Sequence, residues 1–483
     1  MKPTYFSITL AFFLTGLIVF PCFALEIYID PKTDQLFGKP GPGRVKLGTY
    51  KRVDEADKAP IMSQEQPIVT QDQPIATQEQ IKQEVVKEVE KATEDFPEIN
   101  TKGKLQFKSK DGDFAWGIGG RIHAQGGIYD DDRADNGEFT DFQDRASFRR
   151  ARIDVTATLW QHWQMKLQYE FAGTGDVVEG IRDAWLVYNN EALWPVSAIV
   201  GQFKENYGLE SFNSSNDITF IERALPSRAF SPPDARRLGF GLLTQGHDLW
   251  TLHAGFYGRN ASGEDIGGVA LERDDPAVFA GRVTLSPIHT ENIIVHLGFA
   301  GSYLAPDNAV RFRERPELNP GTTRLVDTGL MTGIDSVTRL GAEAATVYGP
   351  FSLQGEYMRA NVERRDLSNP AFDGWYVQGS WILTGEPRIY DFKFGTFKNP
   401  KPTSIVGSGG IGAWEIAFRY SGLDLNDKNI NGGKEENITA GLNWYPNSNF
   451  KFMANYVNVL NIKGGPFAGA DPHGFLMRGQ VIW

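Results

Sequence analysis

Beyond residue 100, large apolar and polar residues alternate one for one through most of the chain. In WQMKLQYEF (163–171), Trp163, Met165, Leu167, Tyr169 and Phe171 point one way, and Gln164, Lys166, Gln168 and Glu170 the other. In RARIDVTATLW (150–160), Ala151, Ile153, Val155, Ala157 and Leu159 oppose Arg150, Arg152, Asp154, Thr156 and Thr158. The same period of two recurs in FAWGIGGRIHAQ, LWTLHAGFYG, FAGRVTLS, IIVHLGFAGSY, FSLQGEY, GWYVQGSWIL, AWEIAFRY, NITAGLNWY, KFMANYVNV and GFLMRGQVIW. Such repetition dictates strands with two unlike faces. A soluble sandwich would alternate as well, so the choice between sandwich and membrane barrel rests on other features.

Three features favour the barrel. Polar side chains such as Arg121, Gln168, Lys204, Arg282, Arg339, Glu356, Arg419 and Arg478 recur mid-strand, as a wet lumen would accept. Short connections alternate with long ones, and aromatics flank many of the short ones: Trp160, Trp163, Trp194, Trp250, Tyr348, Phe351, Trp444, Tyr445 and Phe450. Aromatic rings favour the membrane interface, so a girdle at one rim is expected. Finally, Phe475, Met477, Gly479, Val481 and Trp483 form an outward face that ends on an aromatic residue, the form of a barrel-assembly signal.

The segments number 16, near 115–128, 147–159, 163–173, 180–189, 196–206, 236–244, 249–258, 277–286, 293–304, 338–348, 351–361, 374–384, 412–422, 436–445, 450–460 and 474–483. The expected fold is therefore all-β, a 16-stranded antiparallel transmembrane β-barrel. A barrel of that size leaves an aqueous channel, whereas one of about eight strands is filled by side chains. Apart from the N-terminus, no apolar run approaches the roughly 20 residues a membrane helix needs.

The first hundred residues differ in character. Met1 and Lys2 precede the apolar run Phe6–Phe20, and Cys22 and Ala24 stand where a signal-peptide cleavage after Ala24 needs small residues, so 1–24 is expected to be a secretory signal peptide. Residues 25–60 suggest a small periplasmic hairpin and connector around Asp30-Pro31. QEQPIVT (64–70) and QDQPIAT (71–77) repeat in a polar Gln/Pro linker spanning 61–77. In 78–100 the Pro is lost, and Ile81, Val85 and Val89 recur every fourth residue, which predicts a short amphipathic helix. A trimeric coiled-coil stub and a solvated spacer are both open for it. Residues 51–100 hold 12 Asp/Glu against 6 Lys/Arg, more than half of the net charge of −11. An acidic chain argues against a nucleic-acid partner. The lone Cys22 excludes a disulfide framework.

The stretches FRRARIDVTATLWQHWQMKLQYEFAG (148–173), GQFKENYGLESFNSSNDITFIERALPSR (201–228), LTGEPRIYDFKFGTFKNP (383–400) and GAWEIAFRYSGLDLND (412–427) strongly resemble the phosphate-selective porin family of the O and P type. The resemblance runs from about 101 to 483. It implies a homotrimeric outer-membrane channel in which loops and one periplasmic segment fold inward to make a constriction. The unusually long connections are 207–235, 305–337 and 385–411.

Anions crossing a low-dielectric barrel exchange water for fixed donors, a task suited to the permanently charged, forked guanidinium. Strand parity turns Arg121, Arg150 and Arg152 to the lumen, with Arg149 at the rim of its strand. The resemblance implies that Arg121 and the Arg149-Arg150 pair are constriction arginines, and that Ser214 and Arg223 contact phosphate. Where the family carries a loop Lys after Gly-Leu-Glu, this chain has Ser211. The region beyond residue 100 is acidic overall, with 38 Lys/Arg against 45 Asp/Glu. Any one Arg could equally serve a lumen carboxylate such as Asp154, Glu170 or Glu356.

Other motifs lead nowhere. Gly407-x-Gly409-x-x-Gly412 precedes a strand, not a helix, and so is no dinucleotide loop. His123, His253 and His296 lack ligand spacing, no metal or cofactor is expected, and no outward His supports a lipase-type Ser-His pair. The expectation is a passive channel for phosphate or related oxyanions. A porin of other selectivity, or a barrel that anchors an envelope-contacting arm, are the alternatives.

Overall fold

The computed structural model describes, by backbone alone, residues 25–29, 36–37, 45–50, 264–265 and 269–270. From 97 onward it describes the chain in full apart from 102–104, 174–178, 190–194, 232–235, 261–274 and 322. The signal peptide, the Gln/Pro repeat and the helix expected over 78–96 lie outside the described residues. Two units separate at residue 86. In the first, Leu25–Ile29 is the central strand of a three-stranded antiparallel sheet, flanked by Leu36–Phe37 and Val45–Tyr50.

The second unit is a closed antiparallel barrel of 16 strands: β1 (Phe114–Asp130), β2 (Arg145–Leu159), β3 (Trp163–Glu170), β4 (Gly180–Tyr188), β5 (Val196–Lys204), β6 (Arg236–Gly246), β7 (Trp250–Tyr257), β8 (Ala277–His289), β9 (Ile293–Ala305), β10 (Ile334–Tyr348), β11 (Phe351–Arg364), β12 (Ala371–Ile382), β13 (Ala413–Asp427), β14 (Ile430–Tyr445), β15 (Phe450–Lys463) and β16 (His473–Ile482). Each pairs with its sequence neighbour, and β16 returns to β1, with Ile482 opposite Arg121. Closure satisfies every ladder donor without water, the condition for spanning lipid. Among the described residues no helix is long and apolar enough to cross a membrane.

Alternation builds the two surfaces. Phe256, Phe279 and Tyr303 face one another across β7, β8 and β9 and stand 59%, 58% and 51% exposed on the outer surface. Their neighbours Tyr257, Val278 and Ser302 are buried inside. At the short-turn rim, Trp414 stacks on Trp444 at 5.5 Å and Trp444 on Phe452 at 5.4 Å. Tyr445 departs from the expected girdle: it faces inward and donates to Glu415 at 2.6 Å. Trp194 is outside the described residues.

Two departures from the expected boundaries are the largest. β13 and β14 extend to Asp427 and from Ile430, so only Lys428 and Asn429 join them. Past the apolar band nothing forces alternation, yet the ladder continues through the polar sequence with Asp424 opposite Lys434. Glu98–Asn100, included in the expected helix of 78–100, is instead a strand paired with Leu105–Lys108. That hairpin pairs with β1 at Ala115–Ile118, along the edge that β16 occupies from Arg121 onward.

The C-terminus locks the seam. Gly120 donates to the Trp483 carbonyl at 2.9 Å, and Trp483 donates back at 3.1 Å. A Cβ at Gly120 would lie 2.3 Å from the Trp483 ring and 2.8 Å from the Arg152 carbonyl oxygen. Gly120→Leu is therefore expected to leave most of the protein unassembled, read as loss of the heat-modifiable band on a gel. Gly281→Ala, whose Cβ would meet nothing nearer than 3.5 Å, is the control that assembles normally.

Candidate functional site

All three long connections reach lumen-facing side chains. The β5–β6 connection (205–235, here L3) carries two short helices, α1 (Leu209–Phe212) and α2 (Leu225–Ala229). It is held by ion pairs: Glu205 to Arg237 of β6 at 2.9 Å and to Arg339 of β10, and Glu210 to Arg419 of β13 at 3.5 Å. Glu222 accepts from Arg149 of β2 at 2.9 and 3.2 Å and from Arg478 of β16 at 3.0 Å. Burial pushes the Glu222 carboxyl up, but the adjacent Arg149 and Arg478 outweigh it and hold the group well below the usual carboxylate range. The β9–β10 connection inserts Glu317, which binds Arg419, and also Ser421 at 2.7 Å and Thr439 at 2.8 Å. From the short-turn side, the β12–β13 connection (383–412, here T6) folds in. Tyr390 bonds His296 at 2.7 Å, and Arg282 donates to the carbonyls of Phe394 and Gly395 at 2.9 and 2.7 Å.

The arginines expected from sequence divide into two groups. Arg149 is fully buried in its fork with Glu222, and Arg150 is 1% exposed beside it. Both face inward because of a β-bulge: His123 pairs with Arg150 and Ala124 with Phe148, so Arg149 has no partner in the ladder. Arg149 is thus not at a strand rim, as parity suggested, and neither it nor Arg150 lines the open space. Arg152 pairs with Glu170 at 2.5 Å.

Arg121, Arg152, Ser214 and Arg223 do line one cavity, of about 360 Å³, bordered by side chains of β1–β6, L3 and T6. Arg121 donates to Ser215 at 3.1 Å, and Ser214 accepts from the Asn216 backbone at 3.3 Å. Arg223 is held by the carbonyl oxygens of Glu210 and Asn213 at 2.7 and 2.9 Å. Eight basic side chains line the space (Arg121, Arg152, Lys166, Lys204, Arg223, Arg236, Lys393 and Lys398) against three acidic ones (Asp183, Asp217 and Asp391). Asp183 is occupied by Lys166 at 3.2 Å and Arg236 at 2.7 Å, and Asp391 by Lys398 at 2.7 Å.

Ser211 is 2% exposed and hydrogen-bonded to the Ser227 carbonyl at 2.6 Å, turned away from the cavity. Lys204 reaches the carbonyls of Ser211 and Phe212 at 3.2 and 2.8 Å, so a cation caps α1 from the wall. Lys204 was legible as a lumen side chain but not as part of a site. Lys393 and Lys398 sit in T6, where no periodicity points anywhere. The three inward histidines remain apart: His123 meets Asn216 at 3.2 Å, His296 meets Tyr390 and Glu343, and His253 packs on Phe212 and Phe394. Among the described residues no group of His, Cys, Asp or Glu is placed to hold a metal.

Sequence comparison places these features in a known group. The chain is 28% identical to Porin O of Pseudomonas aeruginosa over 80% of its own length and 92% of that protein. It is also 28% identical to an uncharacterized protein of Caulobacter vibrioides, over 77% and 74% of the two chains. Among solved structures, the anion-selective porin from Comamonas acidovorans aligns over 77% of this chain and all of its own at 12% identity and a TM-score of 0.48. The outer membrane channel DcaP of Acinetobacter baumannii aligns over 78% and 99% at 13% identity and 0.47. The model of the family described as phosphate-selective porin O and P matches residues 117–483, and the chain belongs to that family, as an outer-membrane porin and not an enzyme.

Proposed function

We propose that this porin conducts small anions, phosphate and related oxyanions among them, through the cavity between L3 and T6. The observation that carries this is a local inversion of charge. The region beyond residue 100 is acidic, 38 Lys/Arg against 45 Asp/Glu, yet the cavity is lined by eight basic groups and three acidic ones. A low-dielectric wall concentrates the field of those cations where an ion must pass, whatever the net charge outside. Arg121, Arg152, Ser214 and Arg223 face the ion. Behind the cavity, Arg149 holds L3 through Glu222, and it and Arg150 add to the field. In this reading Lys204 of β5, which reaches the Ser211 and Phe212 carbonyls, supplies from the wall a cation beside the position of Ser211. We take the assembly to be a homotrimer in the outer membrane with residues 25–100 in the periplasm, as the family resemblance implies. Blocking of chloride current by millimolar phosphate tests the solute; current that phosphate leaves unchanged points to a porin of other selectivity.

A pH dependence follows. Burial raises the Asp217 carboxyl above its ordinary value, against the pull of the Asn399 backbone N–H at 3.2 Å and of Lys451. A raised pKa means that Asp217 takes up its proton earlier as pH falls, removing a cavity carboxylate that, among the described residues, is not held by a Lys or Arg salt bridge. Anion preference is expected to rise on acidification through the carboxylate range, and Asp217→Asn to abolish that rise, both read from zero-current potentials.

A further inference from the structure

The cavity is lined by two unlike sets of side chains, one cationic and one apolar. On β4, β5 and β6 the lumen face carries large apolar side chains where the cavity lies: Trp185, Ile199, Phe203 and Leu243 line it. Phe212 of α1 and Phe394 of T6 close over this patch with ring centroids 6.2 Å apart. Arg121 and Arg223 line the same space. A bare oxyanion gains nothing from the apolar wall, which offers it no donor. At about 360 Å³ the space falls in the range of pockets that enclose organic ligands, which are mostly apolar with a few convergent polar groups. The space also has a neighbour. A second, more polar cavity of about 210 Å³ shares Leu243, Lys393 and Phe394 with the first and reaches His247 in the short β6–β7 turn, so Leu243 and Phe394 border both spaces.

From these walls we infer that the preferred solutes of this channel are organic anions that carry one oxyanion head on a flat apolar body, such as aryl phosphates. The inference rests on the anion-channel reading above and adds the body of the solute to its head. The head sits at the Arg121 and Arg223 side, and the ring slides along Trp185, Ile199 and Leu243, shedding water as it does so.

The test compares methyl phosphate with phenyl phosphate, which share a head and differ in the ring. Chloride current through the full-length protein in planar bilayers is titrated with each. Phenyl phosphate is expected to half-block at about tenfold lower concentration, the gain that burial of one ring surface gives. Trp185→Gln is expected to bring the two values together while leaving methyl phosphate where it was. Leu243→Gln gives the same comparison if the first variant does not insert. Equal block by the two esters in the native protein, or a preference that survives both substitutions, overturns the inference and leaves the anion channel standing. Failure of both esters to block, with a cation-preferring zero-current potential, overturns the anion-channel reading itself.

Discussion

Glu222→Ala is expected to destabilise the barrel by about 3–5 kcal/mol and to raise single-channel conductance. Glu222 is 5% exposed and joins Arg149, fully buried, to Arg478, also fully buried. Removing the carboxylate takes away the counter-charge that these two guanidinium groups share in a water-poor wall. Their repulsion then acts on β2, β16 and the end of L3 together. L3 loses the anchor that holds residues 221–223 against the β16 side, and the loop no longer fills that half of the lumen. Urea unfolding in detergent reads the first effect, and bilayer conductance reads the second. Glu222→Gln keeps the shape and loses the charge, so it separates packing from electrostatics: a stability loss close to that of Ala assigns the anchor to charge. A variant as stable as the native protein, with unchanged conductance, would show that Arg149 and Arg478 find other partners.

The second large effect is expected at Arg121. Its Nη1 donates to Ser215 at 3.1 Å, and the side chain lines the cavity. A unit charge about 6 Å from a passing ion is worth roughly 3 kcal/mol at an effective dielectric of about 20, before mobile ions screen it. Arg121→Gln is expected to lower the anion-to-cation permeability ratio about tenfold in dilute salt and by less near 1 M, where the Debye length falls to about 3 Å. Arg150→Gln is expected to change that ratio far less, since Arg150 does not line the cavity. Zero-current potentials of the two variants in matched gradients check the contrast; equal shifts would place both charges at the same distance from the ion.

Strand number and facing were legible because lipid on one side and water on the other impose a period of two that sequence must carry. All 16 strands lie where that period put them. What escaped are departures from the period. The bulge at Arg149 turns two consecutive arginines inward, and nothing in FRRAR announces which residue will leave the ladder. The apolar lumen patch at Trp185, Ile199 and Leu243 was invisible for a related reason: once the lipid face is assigned, large apolar residues on the other face read as noise. Long connections were visible as lengths, but their destinations depend on buried pairs such as Glu317 with Arg419 and Tyr390 with His296, which join residues far apart in the chain. Arginine count alone therefore overstated the pore lining, since Arg149, Arg237, Arg282, Arg339, Arg419 and Arg478 are engaged by L3, T6 or wall carboxylates.

The charge-inverted cavity is tested most directly by the zero-current potential of the purified native protein in a planar bilayer under a tenfold KCl gradient near neutral pH. The expected sign is that of chloride preference, with a magnitude that shrinks as both solutions are made more concentrated. A potential of the opposite sign, showing potassium preference, would mean that the acidic residues outside the cavity govern permeation and would contradict the assignment of the route to the space between L3 and T6.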